Sequence, residues 1–117
     1  IYREEIDVST SGQPNVRHYA LAFLIYANAK GADVAAARRG IVHLARLSQE
    51  RYVSPMARAI AHAGLGERDA ALSFVEEAVS RRDPWTMYIA VDPFMDDLRG
   101  DPRFARLLHV VAGVRAA

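Results

Sequence analysis

Four histidines, His18, His43, His62 and His109, are the side chains best suited to metal ligation or proton transfer in this sequence. None stands at helical spacing from a second histidine or a carboxylate in a known ligand motif, so each reads as a packed or solvated ring. Asp92, Asp96, Asp97 and Asp101 gather carboxylates in the C-terminal third. Their spacing does not fit an EF-hand loop, and two of them precede proline, where a helix cap is the simpler use. Gly64-Leu65-Gly66 is too short for a phosphate cradle and follows a helical pattern instead of a strand. No pattern of nucleophile, base and orienting group is visible. The residues therefore predict no catalytic site, no cofactor and no metal. Arg38, Arg39, Arg46 and, just past its end, Arg51 could form a basic stripe along one predicted helix. They read as a solvated face held by ion pairs, not as a nucleic-acid surface, because neither aromatic interleaving nor a basic excess accompanies them.

The elements that must position these side chains follow from composition and period. The chain has 117 residues, 51% hydrophobic and 25% charged, with a net charge of +1 and no cysteine. This is the balance of one soluble globular domain; it excludes disulfide scaffolds, thiolate zinc sites and cysteine nucleophiles. Alanine occurs 21 times and 14 of the 15 basic residues are arginine, both good helix formers. No apolar run reaches the roughly 18 residues of a membrane span, and no membrane association is expected. The chain does not begin with methionine, and the expectation is that it is part of a longer protein.

Residues 1–14 show no sustained period, with a loop signal around Ser9–Pro14 and packing candidates in Ile1, Ile6 and Val8. A helix is predicted from Asn15, as N-cap, to Ala29, apolar on all sides around Tyr19–Ala27 and therefore covered on more than one side. A second runs from Val34 to Gln49 behind the cap Asp33, with Val34, Ala37, Ile41, Leu44, Ala45 and Ser48 as its buried stripe. Ser54-Pro55 starts a third, which runs through Met56, Ala59, Ile60 and Ala63, and a fourth spans Arg68–Arg82 with Ala71, Leu72, Val75, Ala78 and Val79 inside. Asp83-Pro84, Asp92-Pro93 and Asp101-Pro102 each start a further short helix, near 84–91, 93–99 and 102–113. No period-two pattern occurs, and the fold class is all-α. The expected core includes Ala59, Ala71, Val75, Ala78, Trp85, Phe94, Leu98, Phe104 and Leu107.

Lys30-Gly31-Ala32-Asp33 and Leu65-Gly66-Glu67-Arg68-Asp69 each separate a first from a second helix, an internal repeat of about 34–35 residues. With Tyr52 as first position, Ala59, Gly66, Ala71 and Ala78 put small residues where two helices cross, and the unit 52–83 resembles a tetratricopeptide repeat. The unit 15–51 is a degenerate copy in which Leu24 stands at a small-residue position and Gly40 and His43 break the strict register. The tail 84–117, with Asp83-Pro84-Trp85 and Val91-Asp92-Pro93-Phe94 through Asp101-Pro102-Arg103-Phe104, is similar to the segment that closes tetratricopeptide arrays in bacterial multidomain regulators. Those include winged-helix transcriptional activators, nucleotide cyclases and serine/threonine kinases.

The resemblance implies a right-handed solenoid of antiparallel helix pairs with a C-terminal capping helix, in a single domain and a cytoplasmic setting. It also implies a concave groove lined by the first helix of each unit: His18, Leu21, Ile25, Asn28 and Ala29, then Val53, Met56, Ile60 and Ala63. The function so implied is a non-catalytic, protein-binding or oligomerising accessory module of a signalling or transcription regulator. An apolar or amphipathic protein segment would occupy the groove. Two alternatives stay open: a homodimer formed through the apolar first helix, and a small-molecule sensor near Trp85, Tyr88 and His109.

Overall fold

The computed structural model describes the backbone of residues 14–116 and the side chains of residues 18–113. Every regular element among them is helical: α1 (Pro14–Lys30), α2 (Val34–Glu50), α3 (Pro55–Gly64), α4 (Arg68–Ser80), two 3-10 segments (Pro84–Tyr88 and Pro93–Leu98) and α5 (Pro102–Ala116). The all-α expectation holds. The segment 1–13, with Ile1, Ile6 and Val8, lies outside the described residues.

Four serine- or aspartate-proline pairs start elements in one way. Proline at the first helical position has no N–H, so the cap accepts from the next one. Ser54 takes the Met56 amide at 3.2 Å, Asp83 that of Trp85, Asp92 that of Phe94 and Asp101 that of Arg103, the last three at 2.9 Å. Asp33 caps α2 through the Ala36 amide at 3.2 Å. Asn15 does not cap α1, which already begins at Pro14. The pieces predicted after Asp83 and Asp92 are 3-10 segments of 5 and 6 residues, too short to profit from α-type bonding. Arg99 supports them by donating to the carbonyls of Ala90 at 2.7 Å and Asp92 at 2.8 Å.

Three helices stop in one way as well. Asp33 N–H reaches the Asn28 carbonyl, Glu67 N–H that of His62 and Asp83 N–H that of Ala78, at 2.8, 3.0 and 2.9 Å. These are the long bonds of the Schellman motif, which needs a left-handed residue just before the donor. Gly66 fills that place at φ +75°, but Ala32 (φ 74°) and Arg82 (φ 57°) also adopt it, at a cost of about 1–2 kcal/mol each.

The short turns return α2 along α1 and α4 along α3, and α1 also packs on α3. Helices α2 and α4 begin at Val34 and Arg68, so the two pairs share one spacing. That spacing aligns Ile25, not Leu24, with Ala59. Bulk at Ile25 is matched by absence of bulk across the contact: a Cβ on Gly40 would lie 2.5 Å from Ile25 Cγ1. At the α1–α3 crossing a Cβ on Gly64 would lie 2.8 Å from Tyr26 Cα. Ala59, Ala71 and Ala78 are fully buried, as are Val75, Leu98 and Phe104. Phe94 and Leu107 are partly buried against them. Two expected core residues are not inside. Val34 is 45% exposed at the free start of α2, and Trp85 is 41% exposed although its ring lies against Tyr19.

Gly40→Ala should lower stability by about 1–3 kcal/mol. In a thermal or denaturant double-mutant cycle with Ile25→Ala, the pair should cost clearly less than the sum of the singles; strict additivity would refute the compensating contact. Arg82→Gly should add about 0.5–1 kcal/mol, the relief of left-handed strain less the entropy glycine adds to the unfolded chain. An unchanged melting temperature would show that the turn bears no strain.

Candidate functional site

The residues predicted to line a groove lie in the interior. His18, Leu21, Ile25, Met56 and Ile60 are at most 2% exposed and Val53 is 7% exposed, while Asn28 and Ala29 are half-buried and Ala63 is buried. The expectation of an open lining is corrected: α1 is sandwiched, with Leu21 and Ile25 packed with Ala37, Leu44, Val53 and Ala61. Its other flank, Tyr19 and Ala22, packs with Met56, Ala59, Ile60 and Ala63. The apolar girth of α1 serves these contacts, and of the residues predicted to line the groove only Asn28 and Ala29 have appreciable surface to offer a ligand.

A largely aromatic apolar surface remains open where α1 meets the tail. Rings follow one another at centroid distances of 5.9 Å (Tyr88–Trp85), 4.4 Å (Trp85–Tyr19), 6.1 Å (Tyr19–Phe23), 4.7 Å (Phe23–Phe94, stacked) and 4.8 Å (Phe94–Tyr26, edge-on). The spacing Tyr19, Phe23, Tyr26 puts three of these rings on one face of α1. Phe23, Trp85, Met87, Tyr88 and Val91 are exposed. Pro84, Trp85, Met87 and Tyr88 line a shallow concavity of about 340 Å³. Sequence reasoning named Trp85 and Tyr88 but missed Phe23, Tyr26, Phe94, Met87 and Val91; the aromatic spacing on α1 was the available signal.

A buried polar junction holds this face. Ser54 Oγ donates to Asp83 Oδ2 at 2.5 Å and lies 3.0 Å from the Tyr19 hydroxyl. Serine has one hydrogen and it is committed to the carboxylate, so Tyr19 is the donor to Ser54. All three residues are buried. Burial first, and the Asp83 carboxylate with it, push the Tyr19 phenol well above its ordinary range.

The other candidate residues are engaged elsewhere. His62 Nδ1 lies 2.8 Å from Glu67 and its ring stacks on Phe74 at 5.4 Å. The His62 contact first, and Arg38 after it, hold the Glu67 carboxyl below its usual value. Among the four tail aspartates, Asp97 meets Lys30 at 2.6 Å and Asp96 meets Arg99 at 3.0 Å. Asp92 and Asp101 are caps, and Arg103 brings the Asp101 carboxyl down to about 2. These aspartates face separate partners and do not converge. A second cleft, about 180 Å³, is lined by Val79, Arg82, Asp83, Pro84, Thr86, Met87 and Val111. His109 lines neither concavity, so the structure does not bring it together with Trp85 and Tyr88 in either.

Among the described residues no helix is long and apolar enough to cross a membrane. Comparison of the chain with protein-family models, with curated proteins and with solved structures yields no match.

Ser54→Ala strands the Asp83 carboxylate and the Tyr19 hydroxyl in the interior and should cost about 2–4 kcal/mol. The fold keeps Tyr19 neutral above the pH at which an unfolded tyrosine ionises. Its contribution is therefore complete below about pH 10 and declines as pH rises beyond it. Tyr19→Phe should flatten that alkaline loss in a stability–pH series; an unchanged slope would show that another group causes it.

Proposed function

We propose that this chain is a non-catalytic protein-interaction module, a tetratricopeptide-like pair of helical units closed by a capping tail. In this reading it forms the accessory C-terminal part of a bacterial cytoplasmic regulator. The repeat reading is supported by the common spacing of the two helix pairs, the shared Schellman turns at Ala32 and Gly66, and close contacts at Gly40 and Gly64. The binding surface is the aromatic face and not the family-type groove.

The observation that carries this reading is the exposure of Phe23, Trp85, Met87 and Tyr88 on a scaffold that already fixes them. Apolar patches of this kind on a small domain mark interaction sites. Tryptophan and tyrosine dominate the energetics of such sites. Rings held by other rings lose little rotamer freedom when a partner arrives. The sensor reading has weaker support, because the concavity at Trp85 and Tyr88 is shallow and does not include His109, and the cleft beside Met87 holds about 180 Å³, below the roughly 300–1,000 Å³ of typical ligand pockets.

The test is site-specific photo-crosslinking in the native cells, with a benzophenone amino acid in place of Tyr88 or, as control, Glu76. Protein adducts should form at position 88 and not at 76. Trp85→Ala should reduce them through a loss of roughly 2 kcal/mol. Equal adducts at both positions, or none at 88, would overturn the assignment.

A further inference from the structure

Charge is distributed unevenly along the chain. Residues 14–51 carry six basic and two acidic side chains, whereas residues 66–101 carry four basic and nine acidic ones. Part of this asymmetry is used internally, in Arg38–Glu67 at 3.1 Å and Lys30–Asp97 at 2.6 Å. Two further arginines, Arg39 and Arg46, lie exposed on α2, which has no acidic residue between Val34 and Gln49. Arg39 and Arg46 enter no ion pair among the described residues. With Arg38, Val42 and His43 they line a shallow depression of about 350 Å³, and Val42 is 55% exposed within it. This face offers an apolar centre flanked by guanidinium groups.

The aromatic face offers the converse. Val91 is 75% exposed and Met87 46%, beside the rings of Trp85 and Tyr88 and within the acidic stretch that holds Asp92, Asp96 and Asp97. Cations on aromatic rings are already this chain's own packing chemistry. Arg58 lies 4.4 Å from the Phe74 centroid, Lys30 5.5 Å from Tyr26 and Arg99 5.7 Å from Phe104.

We propose that the α2 face of one copy docks on the aromatic face of a second copy, the Val42 side chain seated beside Trp85 and Tyr88 with Arg39 and Arg46 reaching rings and tail carboxylates. This rests on the reading of the aromatic face as a binding surface. The two faces share no residue and the contact is made once per pair of copies, head-to-tail, so each end of the assembly keeps one free face. Surface patches on a domain of this size typically span roughly a few hundred Å². A contact below about 1,200 Å² in total is weak and transient, and charge pairing at its rim makes it sensitive to salt.

Sedimentation velocity tests it over about 10 µM to about 1 mM, spanning weak dissociation constants, at about 50 mM and about 500 mM salt. Three chains are compared: the wild type, Arg39→Glu with Arg46→Glu, and Met87→Lys with Val91→Lys. All four positions are exposed; if circular dichroism finds either double variant unfolded, Arg46→Glu and Val91→Lys singly replace them. The wild type should grow in mass with concentration and revert in high salt. Each variant alone should stay monomeric. Their equimolar mixture should form dimers and nothing larger, because one intact face survives on each. A wild type that is monomeric at the top concentration overturns the proposal, as does a variant that still associates alone or a mixture that stays monomeric. If the wild type is monomeric yet Tyr88 still crosslinks to another protein, the second copy is excluded and the aromatic face stands as a binding surface. If those adducts also vanish, both readings fall.

Discussion

The Asp83 carboxylate is the point on which the geometry of the described chain turns. Its backbone N–H closes the Schellman cap of α4, and one carboxylate oxygen starts the first 3-10 segment at Trp85. The other oxygen takes the hydroxyl of Ser54, the residue that caps α3, and through it the phenol of Tyr19 in α1. One buried residue therefore fixes the end of α4, the start of α3, the tail and the first helix relative to each other. A buried carboxylate is tolerable only when its lone pairs are filled with good geometry. Here that requirement leaves the tail few positions, and Trp85 is consequently held over Tyr19 while remaining exposed.

Sequence reasoning recovered the elements well because their ends are written in local chemistry. Serine or aspartate before proline, and an acidic residue directly after each left-handed turn position, depend on no distant contact. The register of the first unit was not recoverable in that way. Leu24 looked like the misfit at a crossing position, but the shared spacing of α2 and α4 puts Ile25 there, and the room for it comes from Gly40 on a different helix. A large-for-small exchange between facing helices leaves no periodic signal in either, since each residue alone breaks the pattern and only the pair restores it.

The interior placement of His18, Leu21, Ile25, Val53, Met56 and Ile60 has a related cause. Apolar side chains at regular spacing mark a buried face, but period says nothing about whether another part of the same chain covers it. In α1 the apolar residues run all round because α2, α3 and the tail lie against different sides. The aromatic residues at Tyr19, Phe23 and Tyr26 follow the same helical spacing as a core stripe. They are set apart only by what packs on them: a 3-10 tail of two short segments, which covers Tyr19 but leaves Phe23 exposed.

That narrowness links architecture to the proposed role. An α-helix in the place of the 3-10 segments would present a continuous apolar stripe and bury the face entirely. Two segments of 5 and 6 residues, started by Asp83-Pro84 and Asp92-Pro93, instead bury Thr86, Ile89, Met95 and Leu98 on the inside and leave Trp85, Met87, Tyr88 and Val91 outside. In a 3-10 turn, residues three apart nearly eclipse, so Thr86 and Ile89 point inward together while Trp85 and Tyr88 point outward together. The alternation anchors the tail with one set of side chains and displays the other on a rigid base. Stacking on Tyr19 restrains the Trp85 ring before any partner arrives, which lowers the ordering cost that an exposed aromatic cluster on a mobile loop would incur on binding.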